Sequence, residues 1–282
     1  MYKLGVSTPK QIDEEMFRLY KEAGIECMEI SVDKWKSEKL DFDKLMEWSE
    51  RYGIELYSFH LPFWPFDEID ISSPSMADGS VEYLKGYIDK GSKIGIKKYI
   101  IHPSGEPIDE GDRATRLEIA KKSLYTLAEY ARERGAIICV ENLPRTCIGR
   151  DSFDILELLK AHDSLVACFD TNHLLEENPC EFIRKIGNKI ATLHVSDYDF
   201  KNERHWLPGE GMLDWKMILE ELKSIGYSGA WLYEIDLVAP NTIIRPRDLT
   251  YKDFYKNAWE LFEGKELTNI STPVENLKKW DE

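Results

Sequence analysis

The chain has no CxxC pair, no glycine-rich phosphate turn, no apolar run long enough to cross a membrane and no excess of positive charge. Each absence removes a class of function. The five cysteines, Cys27, Cys139, Cys147, Cys168 and Cys180, are dispersed, which argues against a structural zinc finger. Cys139 and Cys168 lie inside apolar runs, where a reduced thiol behaves as a small hydrophobe, so a reducing cytoplasm is the expected compartment. The N-terminal MYKLGVSTPKQIDEE carries no apolar signal-peptide core. A formal net charge of −15 argues against nucleic-acid or anionic-membrane partners, whose binding relies on Lys and Arg at the contact. No linker rich in Pro, Gly or Ser and no low-complexity tract divides the chain. One domain over residues 1–282 is expected.

What is present is a strict alternation. The short apolar runs are KLGVS, CMEISV, ELYSFH, KKYIIH, IICVE, VACFD, IATLHV and AWLYEI. Between and after them come stretches of helical periodicity, such as DFDKLMEWSERYG, where Leu45, Trp48 and Tyr52 recur at three- and four-residue spacing. Asp151 is a plausible N-cap for the helix in DSFDILELLKAH. Gly24, Gly53, Gly95, Gly135, Gly187 and Gly226 each fall near a helix end, where a left-handed cap is wanted. Eight strand–helix units predict an α/β fold with a parallel sheet, and eight is the number that closes a (β/α)8 TIM barrel. An open doubly wound sheet would usually carry a glycine-rich turn after its first strand, and GVSTPKQ has none. The barrel is expected over about residues 2–264, with a polar tail over 265–282 that wraps the surface.

In such barrels the active site lies at the C-terminal ends of the strands. His60, His102, Glu141, Asp170, His194 and Glu234 all fall there, on the third to eighth strands. His173 follows Asp170 by three residues, and His205 sits in the loop after the His194 run. Mixed imidazole and carboxylate groups suit a divalent metal (Mn, Zn, Co, Fe or Mg), with imidazole tilting the balance away from Mg. One strand-end histidine is more often structural than a ligand; six strand ends in agreement make a metal site the better reading.

The stretches VENLPR (Glu141), FDTNH (Asp170, His173), LHVSDYD (His194, Asp197) and LYEI (Glu234) resemble the xylose isomerase-like barrel superfamily. That group includes sugar isomerases and epimerases and the endonuclease IV branch of DNA repair. The resemblance implies metal ligands at Glu141, Asp170, His194 and Glu234, a substrate contact at His173, and an acid/base pair in the two glutamates. HLPF (His60), HPSG (His102) and ERHWLPGEG (Glu203, Arg204, His205) are also similar to the endonuclease branch, which adds ligands for two more metals. Glu203 stands where that branch has Asp. His60, His102, His173, Glu203 and His205 are therefore candidates for additional metal, while His60, His102 and His205 are equally candidates for sugar hydroxyls.

Other residues have competing readings. Asp197 either orients a ligand or lies on the surface, and Arg204 either binds a substrate oxygen or pairs with Glu203. Phe63, Trp64 and Phe66, in the long loop HLPFWPFDEID, can pack over the barrel mouth or stack on a sugar, with Trp64 taken as a substrate contact. His162 reads as a surface residue at a helix end, and Trp48 and Trp259 as helix–barrel contacts. Arg245 and Arg247 could meet a phosphate, but no phosphate turn accompanies them.

The expected function is metal-dependent isomerisation or epimerisation of a small sugar, sugar phosphate or polyol through proton abstraction beside a carbonyl. The alternatives are multimetal phosphodiester hydrolysis at abasic DNA, lyase or dehydratase chemistry, and non-catalytic sugar binding. No membrane partner is expected, and a homo-oligomer is compatible with the sequence.

Overall fold

The computed structural model describes residues 2–7 and 12–275. Part of the GVSTPKQ segment and the tail beyond residue 275 lie outside the described residues. Eight parallel strands form the barrel wall: β1 (Leu4–Ser7), β2 (Cys27–Ser31), β3 (Glu55–His60), β4 (Lys98–Ile101), β5 (Ile137–Glu141), β6 (Val166–Asp170), β7 (Ile190–His194) and β8 (Trp231–Tyr233). They are hydrogen-bonded in the order β7-β6-β5-β4-β3-β2-β1-β8. The remaining seam, between β7 and β8, closes through a single parallel bridge, Val195 to Tyr233. There Val195 N donates to Leu232 O at 2.8 Å and Glu234 N donates to Val195 O at 3.2 Å. At the other end of the seam the Tyr57 hydroxyl donates to Ala191 O at 3.4 Å and accepts from Ala230 N at 3.1 Å. The fold is the single-domain (β/α)8 barrel expected from the alternation.

Each strand is followed by helix: α1 (Glu14–Ala23), α2 (Lys34–Ser37), α3 (Phe42–Tyr52), α4 (Ala77–Lys93), α5 (Arg113–Arg132), α6 (Ser152–Leu159), α7 (Pro179–Ile186), α8 (Trp215–Ser224) and α9 (Tyr251–Phe262). Local chemistry sets their limits. Asp13, Asp41 and Asp151 accept the N–H three residues on, satisfying donors that the first helical turn leaves free. Gly24 and Gly53 end α1 and α3 at φ of 82° and 66°, a region costly for any residue with a Cβ. The four-residue α2 was not signalled by periodicity, because one turn is too short to show a period. Helix α4 begins at Ala77, before the VEYL stretch where the apolar pattern starts.

Period-two alternation sorts the strand side chains into two cores. Ile138 and Val140 on β5, Phe169 on β6 and Trp231 and Tyr233 on β8 face the helices and join the large outer core. The residues between them turn into the barrel: Ile100, Cys139 and Cys168 form one small apolar cluster, and Cys27, Tyr57, Ala230 and Leu232 another. Continuing that alternation one step puts Glu141, Asp170 and Glu234 at the inner rim. The four buried cysteines are free thiols.

Two peripheral readings change. Trp259 is 41% exposed, with Lys265 Nζ 3.3 Å from its ring centre, rather than a helix–barrel contact. His162 is largely covered and pairs with Glu129 and Ser164. The first part of the tail is tied down: Thr272–Pro273 pairs antiparallel with Ile243–Ile244, and Thr268 bonds Glu260 on α9. Trp48, by contrast, does pack inward, against Phe17 of α1.

Gly5 tests the inner packing. A Cβ there would lie 2.7 Å from Cys27 Sγ and closer still to Leu232. Gly5→Ala should therefore destabilise the barrel by about 1–3 kcal/mol, read as a lower urea midpoint with unchanged slope. An unshifted midpoint would show that the inner layer has slack.

Candidate active site at the barrel mouth

The inward rim positions meet at His194, whose ring is fully buried. Its Nδ1 is 2.9 Å from Glu141 Oε1, 3.1 Å from Glu234 Oε2 and 3.8 Å from Asp170 Oδ2. One ligand atom from each of these four residues falls within 4.8 Å of all the others. The structure thus brings together the four side chains singled out as a ligand set. Asp170 is held by its neighbours: Asn172 N donates to Oδ1 at 2.6 Å, and the Asn142 amide bonds both the Asp170 N–H and its carbonyl.

The flanking histidines lean on the same carboxylate. His60 Nε2 is 3.1 Å and His102 Nε2 3.3 Å from Glu141 Oε2, so both oxygens of Glu141 are engaged. His60, His102 and Glu141 form a second group with metal-ligand spacing, and His173, Glu203 and His205 a third. In the third group Glu203 is already committed, since Arg145 Nη1 lies 3.1 Å from its Oε1 while His173 Nε2 is 3.7 Å away. His173 Nδ1 is 2.8 Å from the Asn142 carbonyl and His205 Nδ1 3.1 Å from that of Glu234.

Electrostatics follow from crowding like charges out of water. Burial, then Glu234 and Glu141, push the Asp170 carboxyl well above the usual range. Burial also works against ionisation of Glu141 and Glu234, but His194 outweighs it and holds both carboxyls well below their ordinary value. Burial works against the charged His194 imidazole, but Cys168 and then Glu234, Glu29 and Glu141 hold it well up. Burial pushes His102 down, whereas the bond to Glu141 lifts His60 against the same effect.

Above the cluster is a cavity of about 210 Å³ lined by His60, His102, Glu141, His173, His205 and Glu234, with Phe63, Phe66, Arg145 and Glu203 on its walls. Trp64 is not part of that lining; it is 48% exposed and packs edge-on against Phe66. Arg204 is likewise absent from it, its guanidinium Nε donating to Asp199 at 3.2 Å. Asp197 follows neither of its two readings. It is fully buried and accepts from Tyr198 N, Gly209 N, Leu213 N and Trp215 Nε1, fastening the loop after β7. Arg245 is paired with Glu210 and Arg247 with Asp253, away from the cavity.

Two residues escaped the sequence reading. Glu29 on β2 is fully buried, 2.8 Å from His194 Nε2; the signal was an acidic residue at an inward position of an apolar strand. Arg145, at φ 53°, pairs bidentately with Glu106 at the cavity wall. It stands inside the VENLPR motif, but nothing in its spacing separates it from a surface arginine.

The xylose isomerase-like TIM barrel family matches residues 17–250, and the chain belongs to that family. An uncharacterized protein of Methanocaldococcus jannaschii is 30% identical over 198 residues, 66% of each chain. A D-psicose 3-epimerase of Enterocloster bolteae is 30% identical over 144 residues, which is 48% of this chain and 44% of that protein. Among solved structures, a D-tagatose 3-epimerase-like protein superposes with a TM-score of 0.78 at 24% identity, over 93% of this chain and 97% of that one. An L-ribulose 3-epimerase superposes at 0.75 with 20% identity, over 93% and 94%. At these identities the likeness establishes a shared barrel.

Crowding at Asp170 has a measurable cost. An acid whose folded pKa lies above its unfolded value weakens the fold once pH exceeds the unfolded value, here 3.8. In chelator-treated protein Asp170→Asn should therefore raise stability by about 0.5–2 kcal/mol at neutral pH, with the gain shrinking toward pH 4. Urea unfolding across that range reads it out. A variant no more stable than wild type at pH 7 would mean the carboxylates are not in conflict.

Proposed function

We propose that the protein is a divalent-metal-dependent sugar epimerase or isomerase that removes a proton beside a carbonyl. The observation that carries this is the largely buried group of Glu141, Asp170, His194 and Glu234, in which the buried atoms Asp170 Oδ2 and Glu234 Oε2 have no hydrogen-bond partner. Two of the three carboxyls, Glu141 and Asp170, are buried and Glu234 is partly covered, and holding them together around one imidazole is costly without a further positive charge. Imidazole and carboxylate donors at this spacing fit Mn, Zn, Co or Fe better than Mg. Those four residues would hold the ion, which when bound supplies polarisation of the substrate carbonyl. Relatives named as sugar 3-epimerases support the same reaction class.

The side chains divide the rest of the work. One of Glu141 and Glu234 takes the proton from the carbon beside the carbonyl, leaving an enediolate. The other, once it has taken up a proton from a substrate hydroxyl or solvent, delivers it to the opposite face or the neighbouring carbon, and the first glutamate then releases its own proton to solvent. Depressed carboxyls favour the base form in which the reaction starts. His60, bonded to Glu141 Oε2, and His102, 3.3 Å from the same oxygen, steady that carboxylate and offer hydrogen bonds to sugar hydroxyls. Phe63 and Phe66 wall the cavity and keep water from the carbanion-like intermediate. A cavity near 210 Å³ lies below the usual range of roughly 300–1,000 Å³ for ligand pockets, which suits a monosaccharide-sized substrate.

The second reading, a multimetal phosphodiesterase, draws on the two further groups with ligand spacing. Against it, Glu203 is held by Arg145, and the chain is strongly acidic. Elemental analysis and an abasic-duplex cleavage assay at moderate salt separate the two. One metal per chain, lost in Asp170→Ala, with no DNA cleavage is the expected result. Three equivalents with cleavage would install the second reading, and persistently metal-free protein after reconstitution would sink both.

The acid/base roles are tested with Gln, since its amide oxygen can coordinate yet cannot accept the proton. Glu141→Gln and Glu234→Gln should each lose about a hundred- to ten-thousandfold in kcat on a turned-over ketose while retaining metal. A Gln variant that binds metal and keeps near wild-type turnover removes that glutamate from the mechanism. Turnover in heavy water should place deuterium beside the carbonyl.

A further inference from the structure

Glu29 is a buried carboxylate for which the proton-transfer scheme has no use. It lies on β2, inside the barrel, beneath the four-residue group. Ser7 Oγ donates to Oε1 at 3.2 Å and Ser58 Oγ to Oε2 at 2.7 Å, so neighbouring strands on both sides hold it in place. Its Oε1 lies 2.8 Å from His194 Nε2, close but out of line for a hydrogen bond, so the carboxylate acts on the ring through its charge. The opposite nitrogen, Nδ1, faces Glu141, Asp170 and Glu234. A histidine can bind a metal only through a nitrogen that carries a lone pair, and a neutral ring has its one proton on the other nitrogen. For His194 that proton must sit on Nε2, beside Glu29.

We propose that Glu29 is a positioning residue for the metal site, fixing the His194 ring proton on Nε2 so that Nδ1 presents its lone pair to the ion. The inference rests on the metal-site reading above. The strand-borne carboxylate also adds negative charge behind the imidazole and makes it a stronger donor. Ser7 and Ser58 complete the chain by using hydrogen bonds to hold Glu29, so the ligand geometry is set by β1, β2 and β3 although none of the four ligands lies on them. This accounts for a charged side chain in a layer otherwise lined by small and apolar groups.

The test is titration of metal-free protein with Mn(II) by calorimetry and with Co(II) by its visible absorption. Glu29→Gln keeps the shape and removes the charge; it should weaken affinity about ten- to a hundredfold and change the Co(II) spectrum. At saturating metal kcat should recover, because Glu29 touches no reacting atom. Ser58→Ala, which keeps the charge and loosens the carboxylate, should weaken affinity by a smaller factor. Urea unfolding of the chelated variants separates loss of fold from loss of affinity. A Gln variant that binds Mn(II) as tightly as wild type, with the same Co(II) spectrum, overturns the proposal. Should Glu29→Gln fail to fold, Ser58→Ala decides: unchanged affinity overturns the proposal and weaker affinity upholds it. Wild-type protein that takes up no metal brings down the underlying reading together with this one, whereas tight wild-type binding beside an unaffected variant brings down this inference alone.

Discussion

The arrangement depends on one electrostatic conflict. Four carboxylates, Glu29, Glu141, Asp170 and Glu234, are brought around one buried imidazole, His194. Separated charges of like sign in a poorly solvated interior repel by several kcal/mol, and a flexible scaffold would relieve the repulsion by swinging side chains into water. The barrel prevents that escape. Glu141, Asp170 and Glu234 are mounted at or just beyond the ends of parallel strands and Glu29 in the middle of one, and the outer faces of those strands are locked into the helix-covered core. Rigidity holds these groups together against their repulsion, and the fold's stability is drawn on to do so.

Much of this could be read from the order of residues, because barrel architecture converts position along a strand into position in space. Once eight apolar runs are recognised, their last residues must converge, and Glu141, Asp170, His194 and Glu234 are adjacent for that reason. Glu29 was harder. It lies mid-strand, where alternation from Cys27 turns it inward, but the shift that sets it opposite Ser58 on β3 is a break no pattern in the sequence announces. Asp197 and Arg204 show a different limit. Charged residues near a site resemble ligands in sequence, but loop backbone, not spacing, decides whether they turn inward; here both are taken up by neighbouring loop groups.

The mouth therefore contains two populations of charge with separate tasks. One faces the cavity and has oxygens without partners. The other is saturated: Asp197 with four donors, Glu210 with Arg245, and Glu106 with Arg145. The saturated group replaces the regular ladders that long connections lack, giving the loops after β5, β7 and β8 fixed shapes. Sequence variation in those loops can alter the cavity walls while the strand ends keep their chemistry, the usual division of labour in barrels of this kind.

The seam between β7 and β8 is the least hydrogen-bonded joint in the wall, held by the Val195–Tyr233 bridge and, at the far end, by the Tyr57 hydroxyl. His194 and Glu234 stand on its two sides, their nearest atoms 3.1 Å apart. Any ion gripped by both would act as a rivet across the joint, reinforcing the closure that the bridge already gives. Amide exchange along Val195 and Tyr233 would then report ligation without any chromophore, and the cylinder would be at its stiffest only when loaded.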